Sequence, residues 1–423
     1  MQTINDHVLK GIQKTIWIIH PQGTLPFEGW TEDRRFMISN ALANRGHRVV
    51  WWISKFKHHT KTYRNVEAIT REWLDTSIEM RFIDSTPYKS HISIQRYLYE
   101  RTFGINVLAS MEKEEKIPDI IVMTDPSLFF GNYVLKYCKK YKIKLIVDIF
   151  DLWPEQFKIL IPERLHFMAK WLFFCLYKRR DRLINYASGV VGITKDYLDD
   201  VLTRTQAITK PQEVCYLGVN LQNFETNRHA VASVDIVDKF VQDASIVCIY
   251  AGTLGEAYDM KTLIHSIEKS IAINSTIKFI VAGAGINENL FTLLAVRYPT
   301  RVLFLGMVDP KLLPYIYSKC DIGICSYSKS SAVSMPTKFY DYLAGGLAVL
   351  NSLGREIQSY VNEKSVGTNY EPGNPNSFID SLLSYSNDRK LLDTHKTNAK
   401  QLSHRFDSNI IYRNFTRFVE SFL

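Results

Sequence analysis

Residues 334–346 combine a cation and an acid at a spacing that suits binding of a phosphate ester. The segment reads Ser-Met-Pro-Thr-Lys-Phe-Tyr-Asp-Tyr-Leu-Ala-Gly-Gly. Pro336 and Thr337 suit the first turn of a helix, and Lys338 and Asp341 then share one face because they are three residues apart. This pattern predicts that Lys338 contacts a diphosphate and Asp341 contacts ribose hydroxyls. The alternative is an exposed ion pair of these two side chains, which would contribute only about 0.3 kcal/mol.

Glycines follow three apolar runs upstream of this helix, where strands of a parallel sheet would end. They and one neighbouring polar residue are Gly252, Thr253, Gly255, Gly283, Gly285 and Gly306. Ligands of open parallel sheets bind outside the carboxyl ends of the strands, and backbone N–H groups in glycine turns can face an anion. We therefore expect a ligand along this edge. Ordinary tight turns would need the same glycines, and that alternative stays open.

Two further segments follow strands in the first half of the chain. Residues 20–35 contain Gly23 and Gly29, which allow the backbone to approach a ligand closely, and Thr31, which suits a helix N-cap. Asp151, in the sequence Asp-Leu-Trp-Pro-Glu, is a candidate for orienting a sugar hydroxyl or for acid–base catalysis. The alternatives are an ordinary capped loop and a carboxylate that caps the next helix. The first loop lacks GxGxxG, which disfavours a dinucleotide-dependent oxidoreductase.

Short β-branched runs alternate with helical stretches throughout the chain, as in doubly wound sheets. Predicted strands of the first half cover residues 15–20, 48–53, 80–84, 119–123, 142–150 and 188–193, with helices over 31–45 and 126–141. After polar residues 220–243, strands are predicted over 245–251, 276–282, 301–305, 321–325 and 347–351, with helices over 259–273 and 310–319. A final amphipathic helix is predicted over 408–423.

This restart of the pattern divides the chain into two domains. The 423 residues exceed what one hydrophobic core of ordinary size holds. We predict an N-terminal Rossmann-like domain over residues 1–218 and a C-terminal one over 219–405. Residues 406–423 form the final helix, whose broad apolar face suits packing back on the N-terminal domain.

Net charge, cysteine spacing and the lack of long apolar runs limit the classes of protein to which this sequence can belong. The formal net charge of +9 suits phosphate-bearing substrates or an anionic membrane surface, and a basic surface without a specific partner is the alternative. No fold signature of nucleic-acid binding is present. The six cysteines lack metal-ligand spacing and predict buried thiols in a reducing compartment. No signal peptide or apolar run of membrane-spanning length occurs, so we expect a cytoplasmic protein.

Residues 165–182 combine aromatic bulk with a basic end. The segment reads Leu-His-Phe-Met-Ala-Lys-Trp-Leu-Phe-Phe-Cys-Leu-Tyr-Lys-Arg-Arg-Asp-Arg and is too short to span a bilayer. One interpretation is peripheral contact with an anionic membrane, on the inner face of the plasma membrane, that admits a lipid-linked substrate. The other interpretation is a helix buried between the two domains.

Taken in order, these motifs resemble glycosyltransferase family 4, the retaining GT-B enzymes, over nearly the whole chain. Further matching segments are the strand entry at residues 44–49, the strand at 182–194 and the linker at 216–224. The Asp-Leu-Trp-Pro-Glu and Pro-Thr-Lys motifs resemble a subgroup that builds bacterial surface polysaccharides on lipid carriers. The resemblance implies an α/β fold of the GT-B class, with two doubly wound Rossmann-like domains facing a central cleft.

The resemblance also implies roles for individual residues. Asp341 matches the family's glutamate that holds the ribose hydroxyls, the turn of Gly252 and Gly255 faces the diphosphate, and the backbone of Met307 and Val308 brackets the base. Gly23 and Gly29 approach the donor from the N-terminal domain.

Four positions depart from the family pattern. Val333, eight residues before Asp341, stands where many members carry the first glutamate of the pair, which contacts the donor sugar. Thr253 and Tyr258 replace a cationic pair, and Phe150 replaces a histidine. Lys338 is the expected substitute cation, with Lys261 second.

The implied reaction is transfer of a hexosyl or N-acetylhexosaminyl group, with retention, from a nucleotide-diphosphate sugar to a glycan or lipid-linked acceptor. The leaving phosphate oxygen would take the acceptor proton, and Lys338 with backbone N–H groups would replace a metal, so we expect no cofactor and no metal. The alternatives are an inactive protein that binds the nucleotide sugar and a GT-B epimerase.

Overall fold

A computed structural model of the protein describes residues 13–28, 33–66, 78–90, 93–256, 258–273 and 276–423. Gly29 and Thr31 of the predicted donor loop lie outside these residues. The chain divides into two compact units. Unit 1 comprises Met1–Tyr216 and Tyr412–Leu423, and unit 2 comprises Leu217–Ile411.

Unit 1 is built on a seven-stranded sheet in which all neighbouring strands are parallel, in the order β3-β2-β1-β4-β5-β6-β7. Its strands are β1 (Thr15–Ile19), β2 (Arg48–Ser54), β3 (Ile78–Ile83), β4 (Ile120–Asp125), β5 (Lys144–Ile149), β6 (Gly189–Gly192) and β7 (Gln212–Val214). The strand order reverses between β1 and β4, which makes their carboxyl ends the topological switch point.

Helices of unit 1 connect these strands. They are α1 (Arg34–Asn44), α2 (Ile94–Met111), α3 (Gly131–Tyr141), α4 (Ala169–Leu172), α5 (Phe174–Tyr186) and α6 (Lys195–Leu202), with 3-10 turns at Pro26–Glu28, Glu155–Leu160, Glu163–Met168 and Gln206–Thr209. Helix α3 begins later than the predicted residue 126. The amide and hydroxyl of Ser127 both donate to the Asp125 carboxylate, and this local turn competes with a helical start.

Unit 2 repeats the architecture with six parallel strands in the order β10-β9-β8-β11-β12-β13. They are β8 (Ile246–Ala251), β9 (Ile277–Ala282), β10 (Val302–Gly306), β11 (Ile322–Cys325), β12 (Ala348–Asn351) and β13 (Gly367–Asn369). The order reverses between β8 and β11, so the switch point of this sheet lies at Ala251 and Cys325.

The helices of unit 2 pack on both faces of that sheet or follow it. They are α7 (Leu221–Ala230), α8 (Asp235–Phe240), α9 (Met260–Ile273), α10 (Glu288–Arg297), α11 (Leu313–Ser318), α12 (Thr337–Gly345), α13 (Arg355–Glu363), α14 (Pro375–Asn387) and α15 (Arg389–Ser403), with 3-10 turns at Pro310–Leu312 and His404–Phe406. Helix α16 (Ser408–Glu420) begins in unit 2, and its residues from Tyr412 onward belong to unit 1.

The predicted fold class is confirmed. All eleven predicted strands are present. Most are apolar runs buried on both faces, as a covered parallel sheet requires, whereas β3 and β10 at the sheet edges are largely only partly buried. The prediction missed the two edge strands β7 and β13, which have three residues each. It was wrong for one thiol: five cysteines are buried, but Cys175 is exposed on α5.

A buried ion pair joins helix α1 to the centre of the unit 1 sheet. The guanidinium of Arg34 donates to both carboxylate oxygens of Asp148 on β5, at 2.7 and 3.0 Å, and to the carbonyl oxygen of Cys215 at 2.8 Å. Both side chains are almost fully buried. The Asp148 carboxylate raises the pKa of Arg34 against the opposing effect of burial, so the guanidinium stays charged.

We predict that Asp148→Asn lowers the free energy of unfolding by about 3 kcal/mol, because it leaves the Arg34 charge buried without a counterion. Urea denaturation at pH 7 measures the change. Asp199→Asn is the matched control, since Asp199 pairs with Lys195 at the surface and such pairs contribute about 0.5 kcal/mol or less. Equal effects of the two substitutions would contradict the prediction.

Candidate nucleotide site in unit 2

Lys338 reaches the switch point of the unit 2 sheet from the first turn of α12. Its Nζ lies 3.8 Å from the ring centroid of Tyr250 on β8, and 5.4 Å from that of Tyr327, which follows β11. The ring of Tyr258 lies 4.9 Å away. Three electron-rich rings around one ammonium form a cation–π cage. We call Lys338 and these three tyrosines the lysine cage.

Within the described residues, the ammonium of the cage forms no ion pair or hydrogen bond. The Lys338 side chain is buried, with 8% of the residue exposed, and its Nζ has no hydrogen-bond partner among the residues the structure describes. The alternative of an exposed ion pair with Asp341 is therefore wrong. A buried unpaired charge is costly, and an anion that binds next to it recovers part of that cost.

Burial lowers the pKa of Lys338 to about 8, while Cys325 and Asp341 nearby act in the opposite direction. The side chain is therefore mostly protonated at pH 7 and loses its charge as the pH rises through 8. The neighbouring Cys325 thiol is itself fully buried, and burial raises its pKa to about 12, so it stays neutral over this range.

The Gly252 turn lies directly beside the ammonium. A Cβ atom at Gly252 would be 3.0 Å from Lys338 Nζ, and the backbone there has φ +141°. Gly283 has φ +150°, and a Cβ on it would be 1.8 Å from the Gly252 carbonyl oxygen. The turns after β8 and β9 thus touch through their backbones, which only glycine allows. Gly252 is also exposed, so a ligand can reach this turn.

The other residues predicted to bind a ligand at the carboxyl edge of the unit 2 sheet are Gly285, Gly255 and Thr253, and their surroundings differ. Gly285 has φ +155° and packs its backbone against Leu254, whereas Gly255 makes only ordinary contacts. Thr253 is exposed, and its carbonyl oxygen accepts a hydrogen bond from the Tyr250 hydroxyl at 2.8 Å. The structure thus brings Gly252, Gly283 and Lys338 together directly.

Helix α12 presents its predicted residues at its first two turns. Pro336 is its N-cap and is buried, Thr337 is exposed and Asp341 is half-buried. Beyond β10, Met307 is exposed and Val308 half-buried. The structure does not bring these last two into contact with the lysine cage.

Lys261, the second expected cation, lies elsewhere. It is exposed on α9 and lines a surface groove with Leu290, Leu293 and Arg297. Its ammonium is not among the groups around Gly252. Of the two substitute cations, the geometry of unit 2 favours Lys338.

A cavity of about 480 Å³ opens at the carboxyl ends of β11 and β12. Ser328 and Lys329 line it after β11, and Ser352, Leu353 and Arg355 line it after β12. This volume is within the range of small-ligand sites. Its lining supplies hydroxyl and cationic groups at the edge where the sheet topology predicts a ligand.

In unit 1, Asp151 follows β5 and is half-buried. Burial raises its pKa, while Arg35 and a 3.5 Å hydrogen bond donated by Gln156 act to lower it. Gly23 packs against Trp51, and its carbonyl oxygen accepts a hydrogen bond from the Arg64 guanidinium. The backbone of Gly23 therefore takes part in packing within unit 1.

Sequence reasoning missed the aromatic part of the site. The three tyrosines of the lysine cage are at positions 250, 258 and 327, and only Tyr258 was noted, as a departure from a family pattern. It also missed His20 after β1, which is buried with its Nε2 unpartnered among the described residues. For the lysine cage, the available signal was Tyr250, which lies two residues before Gly252.

Comparisons with known proteins agree with this geometry. Residues 245–388 match the family model for glycosyl transferases group 1. Sucrose-phosphate synthase from Thermosynechococcus elongatus superposes with a TM-score of 0.68 at 14% identity, covering 97% of this chain and 99% of that one. A search of curated proteins found no match.

Two further solved structures extend the comparison. Anabaena HepE, solved in complex with UDP, has a TM-score of 0.65 at 12% identity and covers 97% of this chain and 100% of that one. WaaG, a glycosyltransferase involved in lipopolysaccharide biosynthesis, has a TM-score of 0.62 at 12% identity, covering 96% and 99%. At these identities the likeness establishes the fold. The chain has the GT-B fold, and its second unit carries a segment similar to group 1 glycosyl transferases.

Within the described ranges, no helix is both long and apolar enough to cross a membrane. Across the same residues, no three His, Cys, Asp or Glu side chains converge as they would around a metal ion.

We predict that Lys338→Met raises the free energy of unfolding of the ligand-free protein at pH 7 by about 1–3 kcal/mol. The substitution keeps an unbranched side chain that is one heavy atom shorter, and it removes a buried charge that has no hydrogen-bond partner among the described residues. Urea denaturation measures it, with Lys261→Met as the control at an exposed position, for which we expect almost no change. A lower free energy of unfolding for Lys338→Met than for the wild type would contradict the prediction that the Lys338 ammonium is buried without a partner.

Proposed function

We propose that the protein is a retaining glycosyltransferase that takes a hexosyl or N-acetylhexosaminyl group from a nucleotide-diphosphate sugar. The acceptor is a glycan or lipid-linked glycan, and the product belongs to surface polysaccharide synthesis. The proposal depends chiefly on one observation: the buried ammonium of Lys338 lies at the switch point of the unit 2 sheet and has no hydrogen-bond partner in the described part of the chain.

Three comparisons support the proposal. The family match covers β8 to α14, which includes Gly252, Gly283 and Lys338. Anabaena HepE was solved with UDP and with UDP-glucose, which suggests a uridine nucleotide as the first donor to test. The printed role of WaaG in lipopolysaccharide biosynthesis suggests a cell-surface glycan as product.

In the proposed mechanism, Lys338 and the N–H groups of the Gly252 turn stabilise the charge that develops on the leaving diphosphate. Asp341 holds the ribose hydroxyls, and Met307 and Val308 bracket the base. The acceptor hydroxyl attacks the anomeric carbon on the face that the nucleotide leaves. A phosphate oxygen of the leaving group takes the acceptor proton, so the new glycosidic bond keeps the anomeric configuration.

Asp151 is the proposed positioning group for the acceptor. Burial raises its pKa, yet Arg35 favours its ionised form, so it can accept a hydrogen bond from a sugar hydroxyl. Since the charge on the diphosphate is met by Lys338, we propose that transfer needs no metal ion or cofactor.

The segment after Asp151 supports peripheral contact with an anionic membrane. Residues 165–182 comprise the end of a 3-10 turn, α4 and most of α5. Trp171 is 76% exposed and Phe167 79% exposed, whereas Ala169, Tyr177 and Arg180 of the same segment are buried. Exposed aromatic side chains next to lysines and arginines suit a membrane interface.

The first test is a thermal-shift panel of UDP-, GDP- and dTDP-sugars. A ligand present at about 100 times its dissociation constant stabilises the folded protein by about 2.7 kcal/mol. We expect one nucleotide to do so for the wild type and for Lys261→Met, and not for Lys338→Met. A flat response of the wild type to all nucleotides would refute the donor site.

The pH dependence of binding is a separate prediction. Because the Lys338 ammonium is lost above a pKa of about 8, affinity for the nucleotide should fall by about tenfold or more between pH 7 and pH 9.5. Isothermal titration calorimetry measures it. Lys338→Met should bind weakly at both values, and an equal fall in both proteins would assign the titration to another group.

Transfer assays separate the enzyme from the alternatives. Asp341→Asn and Lys338→Met should both lose transfer, and the product of the wild type should carry a new glycosidic bond of retained configuration. Binding without any transfer would instead support an inactive binding protein.

A further inference from the structure

A second cationic site lies in unit 1, away from the carboxyl edge of its sheet. Four basic side chains line a surface cavity of about 580 Å³, together with Tyr177 and Tyr186. They are Lys139, Lys178, Arg182 and Arg204. We call this cavity the basic groove. Lys139 is in the last turn of α3, just before β5 begins, so the groove lies toward the amino ends of the strands.

The charge of the basic groove is not balanced within the protein. All four basic residues are exposed, and none forms an ion pair or a side-chain hydrogen bond with the part of the chain that the structure describes. Asp181 is the one acid of the lining; its carboxylate lies 3.8 Å from Arg180 and also interacts with Arg204, so one negative charge faces four positive ones. Four like charges around one cavity repel one another, so an anion that enters it is favoured.

Aromatic rings support this arrangement. The Arg204 guanidinium lies 4.0 Å from the ring centroid of Tyr177, which is buried. Lys139 Nζ lies 5.8 Å from that of Tyr186. These contacts hold two of the cations at the groove wall without neutralising them. Guanidinium and ammonium groups at one cavity suit the oxygens of a phosphate.

The basic groove is continuous with an exposed apolar surface. Phe174 lines the groove and is 58% exposed, and Leu172 and Trp171 directly before it are 56% and 76% exposed. Amphipathic side chains of this kind lie at the boundary between headgroups and acyl chains. A soluble phosphate compound would use the cations but would leave these apolar side chains in water.

We propose that the basic groove binds the phosphate headgroup of an anionic phospholipid while residues 171–174 lie in the membrane interface. The inference rests on the proposed membrane contact and adds a specific headgroup site to it. It does not depend on the donor site, since no residue of the groove belongs to unit 2. The site would fix the orientation of unit 1 on the membrane, and so the direction from which a lipid-linked acceptor arrives.

The test is co-sedimentation of the full chain with two kinds of vesicle: phosphatidylcholine alone, and phosphatidylcholine mixed with phosphatidylglycerol. We expect binding to the mixed vesicles and much weaker binding to the neutral ones. K178E/R182E should weaken binding to the mixed vesicles by about tenfold or more, because each basic residue near an anionic surface contributes to attraction. K113E/K116E is the matched control, with the same change of charge at exposed residues after α2, and should bind nearly as the wild type does.

Circular dichroism and the nucleotide thermal shift establish that each variant is folded. Equal binding by K178E/R182E and K113E/K116E would overturn the headgroup site and leave general membrane contact standing. No binding of the wild type to either vesicle would overturn both, and the thermal shift would still decide the donor site separately. If excess glycerol 3-phosphate or inorganic phosphate abolished vesicle binding and stabilised the protein, the groove would be a site for a soluble phosphate, and the proposal would be wrong.

Discussion

A single unpaired ammonium organises the candidate site. Lys338 is buried among three tyrosine rings at the switch point of the unit 2 sheet, and its Nζ has no hydrogen-bond partner among the described residues. Two glycines let the backbone pack closely beside it: a Cβ at Gly252 would be 3.0 Å from Nζ, and one at Gly283 would collide with the Gly252 carbonyl oxygen. Cation, rings and glycines together form a site with positive charge and space for an anion.

The two units each contain a buried cationic side chain, but these two side chains differ in whether they are paired with a carboxylate. In unit 1, Arg34 and Asp148 form an ion pair at 2.7 Å. This pair holds α1 on the sheet, and neither charge is available to a ligand. In unit 2, Lys338 is surrounded by tyrosine rings, and Cys325 and Asp341 favour its charged form without forming a hydrogen bond to its Nζ among the described residues. A buried charged group without a hydrogen-bond partner lowers the stability of the protein. Lys338 lies at the edge where ligands of such sheets bind, and binding of an anionic ligand there explains why this cost is tolerated.

Much of the fold followed from the sequence because the signals are local. Runs such as residues 144–149 and 246–251 are β-branched and apolar on both faces, and each became a covered strand. The edge strands β7 and β13 have three residues each and carry too little pattern. Lys338 and the glycine turns were predicted from spacing, but the lysine cage was not, because Tyr250, Tyr258 and Tyr327 are far apart in sequence and meet only through the order of the strands. Likewise, the four basic residues of the groove come from α3, α5 and the turn after α6.

In this account, the Lys338 ammonium binds the diphosphate of a nucleotide. Nuclear magnetic resonance of the protein with ¹⁵N-labelled lysine, titrated with and without UDP, tests it most directly, with Lys338→Met used to assign the signal. We predict a pKa of about 8 for Lys338 in the free protein and a clear rise when UDP is bound, because a nearby anion favours the protonated form. An unchanged pKa in a protein saturated with UDP would contradict the account.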